Sequence, residues 1–179
     1  MKLLFQNLAI SQWWLLAILL MPLSAYSQTS APSAIKAVLN YNFAKYTQWP
    51  DSSVDDEINL CYFNSALHLG FETLTGKTIN GKKLVLTHVA SVDKVDHCQL
   101  IYIDSKDRHK LHRLFIFLNN KPVLTVSDMA GFVDDGGMIE IVNQDNKLRF
   151  KINLYQVQQH GLTLSSQLLR LAIDVKQDK

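Results

Sequence analysis

Ser127-Asp128 and Asp134-Asp135-Gly136-Gly137 lie in one stretch, Val123 to Asn153, and both carry groups able to move protons or hold cations. Ser127 follows the apolar run Val123-Leu124-Thr125-Val126, and open α/β sheets place ligands just beyond the carboxyl ends of their strands. A serine nucleophile needs a base to take its hydroxyl proton, and no G-x-S-x-G elbow surrounds Ser127. Asp128 also fits a turn, with its carboxylate accepting backbone N–H groups, and that structural role is preferred. Asp134 and Asp135 precede two glycines, a common turn signal, and calcium requires more oxygen ligands at ordered spacing. A strand running into a glycine-rich loop also suggests phosphate binding, but neither a Walker lysine nor G-x-G-x-x-G spacing is present.

The cysteines are Cys61 and Cys98. In an oxidising compartment an even count at low density points to one bridge, worth about 4 kcal/mol in the chain-entropy model. The competing reading is a metal site, since His97 adjoins Cys98 and His88 is near in sequence. Neither C-x-x-C nor H-x-x-x-H spacing supports zinc, so the disulfide is preferred. His109 and His112 stand three apart on one expected helix, where both could approach an ion, but no third ligand is evident nearby. His160 beside Gly161 suits a helix C-terminus. Arg149 and Arg170 can each clamp a carboxylate through two parallel bonds, either on a partner or between elements of the chain itself.

These residues need a scaffold, and the chain alternates helical and strand patterns without a repeat or low-complexity linker. Pro32 suits a first helical turn with Ser30 as its cap. Ile35, Val38, Leu39, Phe43 and Tyr46 then recur at helical spacing, with Lys36 and Asn40 on the other side, up to Trp49-Pro50. Strands are expected at Ile58–Phe63, Lys83–Val89, Gln99–Ile103 and Val123–Val126. Helices are expected around Ala66 to Leu74 and from a Ser105 cap through Leu118, the latter with Leu111, Leu114, Phe115 and Leu118 inward. Met138–Val142 and Leu148–Ile152 flank Gln144-Asp145-Asn146, a hairpin signal. A helix at Tyr155–His160, a short strand at Leu162–Leu164 and a last helix at Ser166–Ala172 complete the pattern.

The alternation predicts an α/β fold, a single three-layer domain with a mainly parallel, flavodoxin/Rossmann-like sheet and a C-terminal β-hairpin. A flavodoxin-like strand order makes the first and third strands neighbours, which brings Cys61 and Cys98 near enough to bridge.

The N-terminus reads as an export signal. Lys2 gives the positive end, Trp13 to Leu20 an apolar segment too short to span a bilayer, and Ala25-Tyr26-Ser27 a cleavage site before Gln28. Residues 1–27 are therefore expected to be a signal peptide, and residues 28–179 the exported, periplasmic domain. Without Lys2 the chain carries 17 basic against 16 acidic residues. So balanced a charge offers no footprint for nucleic acid and no strong pull toward anionic lipid, and no membrane insertion is expected after cleavage.

Taken in order, several segments resemble the YfiR-like family of periplasmic proteins. They are Lys36 to Tyr46 followed by Trp49-Pro50, Cys61 in the first strand, Gly76 to Leu84, His97-Cys98-Gln99, and Leu124 to Asp128. Gly131-Phe132, Gly136 to Ile139, Arg149 to Asn153, Gly161-Leu162 and Ser165 to Ala172 complete the series. The resemblance implies a non-catalytic regulator, commonly dimeric and without cofactor or metal. It would bind and repress the periplasmic sensory part of an inner-membrane diguanylate cyclase, lowering cyclic di-GMP and biofilm formation. Some members carry a second cysteine pair that this chain lacks, so only Cys61–Cys98 is left as a redox or structural element. The family's motifs read as mostly architectural, with Phe132, Ile139, Phe150 and Leu168 able to fill a core. Contact with the partner is placed on the Gly131 to Met138 loop and the following hairpin, through Phe132, Met138, Ile139 and Arg149. The alternative is a small-ligand sensor module for a histidine kinase or transport system, with its crevice at Ser127 and Asp128.

Overall fold

The computed structural model describes residues 31–50, 53–64 and 67–178. The expected signal peptide and the Ser30 cap lie outside the described residues. Helix α1 (Ala31–Lys45) leads through β1 (Thr47–Gln48) to β2 (Glu57–Tyr62), α2 (His68–Glu72), β3 (Thr78–Ile79) and β4 (Lys82–His88). A 3₁₀ turn at Val92–Lys94 precedes β5 (Leu100–Ile103), and a second at Ser105–Lys110 runs into α3 (Leu111–Leu118). Strands β6 (Leu124–Ser127), β7 (Ile139–Gln144) and β8 (Lys147–Asn153) follow. The chain closes with α4 (Leu154–Gln159), β9 (Thr163–Leu164), α5 (Ser166–Leu171) and β10 (Asp174–Lys176). Among the described residues no helix is long and apolar enough to cross a membrane.

The main sheet has the order β10-β8-β7-β6-β5-β2-β4-β3. Its centre, β4-β2-β5-β6-β7, is parallel throughout, which is the flavodoxin-like order, and β7 and β8 form the antiparallel hairpin. Asp145 and Asn146 take positive φ at its turn, as a two-residue loop matching the strand twist requires. Four short strands have too few residues to show a period: β1 pairs with β9, β3 edges the sheet beside β4, and β10 runs parallel to β8.

Strands β5 and β6 are buried at every position, because helices cover both faces. Leu60, Tyr62, Leu100, Tyr102, Leu124 and Val126 point into a core shared with α1, α2, α4 and α5. Cys61, Phe63, Ile101 and Ile103 point the other way, into a second core closed by Leu111, Leu114 and Leu118 of α3. The three-layer α/β architecture is therefore as expected. Asp104, and not Ser105, caps the turn before α3, its carboxylate accepting from Lys106 N at 3.0 Å.

Helix α1 is rotated from the expected face. Ala37, Asn40, Phe43 and Ala44 are buried, whereas Ile35 and Val38 are each 50% exposed. Small residues decide this orientation by letting α1 approach α2 closely: a Cβ added to Gly70 would lie 2.7 Å from the Ser33 backbone. Asn40 is accommodated by donating from Nδ2 to Lys36 O at 2.9 Å.

Candidate functional site

The loop expected to meet a partner is part of the core. Phe132, Met138 and Ile139 are buried, as is Val133. Phe132 turns inward against Phe115, ring centroids 5.9 Å apart, and Gly137 leaves the space its ring occupies. Hydrogen bonds hold the segment: Met138 N donates to Thr125 Oγ1 at 3.1 Å, Asn153 Nδ2 to Val133 O at 2.8 Å, and Val133 N to buried Glu140 Oε2 at 3.3 Å. The expectation of a contact through Phe132, Met138 and Ile139 is corrected accordingly, since these side chains pack inside while the loop shows solvent Asp134 and Asp135. Asp135 pairs with Arg108 at 3.2 Å, and Asp134 lies 3.9 Å from Lys176 Nζ.

Arg149 is exposed, as is Arg170, and among the described residues neither joins an ion pair. Arg149 sits opposite Val142 in the hairpin, and the next aligned pair is Glu140 with Lys151. Strand alternation puts all four on the hairpin face turned away from Ile139, Ile141, Phe150 and Ile152. On that face Glu140 is buried and Val142 and Lys151 are half-buried, so Arg149 is the residue of the predicted contact that remains on the surface.

At the carboxyl end of β6, Ser127 is buried and its hydroxyl is doubly engaged, donating to Ile103 O at 2.7 Å and accepting from Met129 N at 3.0 Å. This locks the turn and commits the hydroxyl proton to a backbone carbonyl, which cannot act as a base. Asp128 accepts Lys36 Nζ on Oδ2 at 2.6 Å and Ser105 N on Oδ1 at 3.2 Å. Asn40 Oδ1 is buried with no hydrogen-bond partner among the described residues, and the buried Tyr102 Oη faces the Asp128 carboxylate without a close hydrogen bond. Burial pushes the Tyr102 hydroxyl far above the usual phenol range, and the Asp128 and Asp104 carboxylates add to the shift. Tyr62 on neighbouring β2 is also raised, first by burial and then by Glu72, and its hydroxyl shares a 2.6 Å hydrogen bond with His68 Nδ1.

Cys61 and Cys98 form a disulfide, their Cα atoms 5.9 Å apart. β2 and β5 are neighbours, as the strand order requires, and the bridge lies in the α3-side core. His97 Nε2 stands 4.0 Å from Cys61 Sγ. The expected cap role of His160 is fulfilled, its Nδ1 lying 2.9 Å from Gln156 O. A cavity of about 460 Å³ that sequence reading missed opens at the amino ends of β2 and β4. Trp49, Pro50, Ile58, Asn80 and Lys82 are among its lining residues. Its only sequence signal is Trp49-Pro50, a dipeptide that reads as a helix stop.

The sequence pattern of the YfiR/HmsC-like family matches residues 33–173, from α1 to the residue before β10. This chain belongs to the YfiR/HmsC-like family. No curated protein matches it. Among solved structures, it is similar to the ABC domain in complex with L-Trp from Streptococcus pneumonia. The TM-score is 0.55 at 13% identity, over 80% of this chain and 60% of that one. It is also similar to a conserved domain protein from Vibrio cholerae, with a TM-score of 0.54 at 13% identity, over 81% of this chain and 60% of that one. At such identity the likeness shows an α/β fold alone, and this YfiR/HmsC-like chain spans about three-fifths of either neighbour.

Proposed function

We propose that this chain is a non-catalytic periplasmic regulator, exported by residues 1–27, whose domain at 28–179 binds the periplasmic sensory part of an inner-membrane diguanylate cyclase. The observation that carries this reading is the YfiR/HmsC-like match across residues 33–173. The engagement of Ser127 by internal partners agrees with a binding role. By holding the inactive sensor better than the active one, the regulator lowers cyclic di-GMP synthesis, and a signal that weakens the complex releases it. The contact lies on the open face of the hairpin around Arg149 and Val142, and the regulator acts as a homodimer. Neither cofactor nor nucleic acid takes part.

The test is affinity capture from the native solubilised envelope with the tagged chain, followed by mass spectrometry. A membrane protein carrying a GGDEF catalytic segment is expected to co-purify, and Arg149→Glu to reduce its recovery without changing the melting temperature. Reproducible capture of a different receptor would replace the pathway.

A second reading, a small-ligand sensor for a histidine kinase or transport system, is favoured by the unpartnered Asn40 Oδ1, one helical turn from the Lys36 that pairs with Asp128. It requires the Lys36–Asp128 pair to open, and it predicts a metabolite that raises the melting temperature of wild type but not of Asp128→Asn.

A further inference from the structure

A buried disulfide needs no imidazole beside it, yet exposed His97 is placed at the bridge. Cys61 Sγ, Cys98 Sγ and a ring nitrogen of His97 all lie within 4.8 Å of one another. We propose that reduction of the Cys61–Cys98 bond converts this cluster into a site for one zinc-class ion, bound by two thiolates and the His97 imidazole, with the fourth position open to solvent.

Geometry supports the assignment. Tetrahedral zinc with Zn–S of about 2.3 Å and Zn–N of about 2.0–2.1 Å holds its ligand atoms roughly 3.5–3.8 Å apart. His97 Nε2, 4.0 Å from Cys61 Sγ, is already close to that spacing. The sulfurs part when their bond breaks, and the exposed His97 side chain closes the remaining gap to Cys98 Sγ, which lies within 4.8 Å. The backbone keeps them aimed at a common point: Cys61 is paired with Thr87 of β4 and Ile101 of β5, and Cys98 N donates to Val95 O at 3.1 Å. A cavity of about 360 Å³, lined by His97, His88, Asp93 and Asp96 among others, gives the fourth position room for water.

Thiolate and imidazole donors suit zinc, and two anionic sulfurs offset the charge of a divalent ion in a partly buried site. A dithiol reductant passes two electrons and two protons to the S–S bond, leaving two cysteine thiols and the reductant's own disulfide. Zinc then displaces both thiol protons to solvent. The covalent and metal cross-links exclude each other, so the redox state selects which one joins β2 to the start of β5.

The full chain is reduced with dithiothreitol, freed of it anaerobically and titrated with Co²⁺, then with Zn²⁺. The reduced protein should bind one equivalent of cobalt with a thiolate-to-metal charge-transfer band that zinc abolishes, while the oxidised protein shows no such band. His97→Ala should still form the disulfide but should weaken cobalt binding at least about tenfold. If the reduced chain unfolds without metal, recovery of its far-UV spectrum on adding zinc is the expected result. Equal binding by oxidised protein, unchanged affinity in His97→Ala, or a reduced chain that neither folds nor binds with zinc present would each overturn the proposal.

Discussion

The Lys36 ammonium on α1 sits 2.6 Å from the Asp128 carboxylate just past β6, joining positions 92 residues apart. Both side chains are about one-fifth exposed, so the pair is poorly screened, and removing one partner leaves the other partly buried without its counter-charge. Lys36→Met or Asp128→Asn should each lower unfolding free energy by roughly 1–3 kcal/mol in urea titrations. The double variant should cost less than the sum of the two. Full additivity would show that the contact does not couple α1 to the sheet end.

Phe132 and Gly137 form a ring-and-gap pair. A Cβ on Gly137 would come within 2.2 Å of the Phe132 ring, which is fully buried and already packed against Phe115. Gly137→Ala should therefore destabilise by about 1–3 kcal/mol, as overpacking does, and Phe132→Ala by about 3–5 kcal/mol. Phe132→Asp should abolish cooperative thermal unfolding. A folded Phe132→Asp protein would return this residue to the surface role expected of it.

Tyr102 ties stability to alkaline pH. Its folded pKa lies above the unfolded value of about 10, so the neutral phenol contributes stability that is complete below that value and lost as pH rises beyond it. The melting temperature of wild type should fall steeply above about pH 10. Tyr102→Phe should flatten part of that fall. At neutral pH it should cost about 1 kcal/mol or less, since the hydroxyl faces the Asp128 carboxylate without a close, well-aligned hydrogen bond. A pH profile identical to wild type would remove Tyr102 from the linkage.

The Cys61–Cys98 bridge spans a sequence separation of 37. Replacing both cysteines by alanine should cost about 4 kcal/mol through the entropy regained by the unfolded chain, measured by denaturant midpoint under non-reducing conditions. Adding reductant should lower the wild-type midpoint in metal-free buffer and leave the double variant unmoved.

Much of the scaffold is legible in the residues. The apolar run Leu100–Ile103 and the apolar-rich Val123–Val126 mark central parallel strands, and Asp145-Asn146 marks the hairpin turn, because each pattern has one dominant physical cause. Residues whose setting depends on distant packing are harder to read. Asn40 reads as a solvent-side residue, yet it is buried because Gly70 draws α1 toward α2. Phe132 reads equally as a core filler and as a contact on a glycine-flanked loop, and Met138 as the latter; Thr125, Glu140 and Asn153 supply the hydrogen bonds that turn the loop inward. Local spacing records none of these partners. The position of His97 beside Cys61 likewise depends on the register of β2 against β5.

The same bridge divides the chain mechanically. Everything between Cys61 and Cys98, including α2, β3 and β4, is a closed covalent ring, while β6 through β10 lie outside it. A tensile load between the two ends passes across the sulfurs and never reaches the ring's interior. With a sequence separation of 37 shielded at ~3.4 Å per step, less the 5.9 Å the bridge itself spans, the oxidised chain stops extending about 120 Å short of the reduced one. In a pulling experiment, the hairpin side yields its length in either redox state, and the β3–β4 edge yields its own only after the clasp is cut.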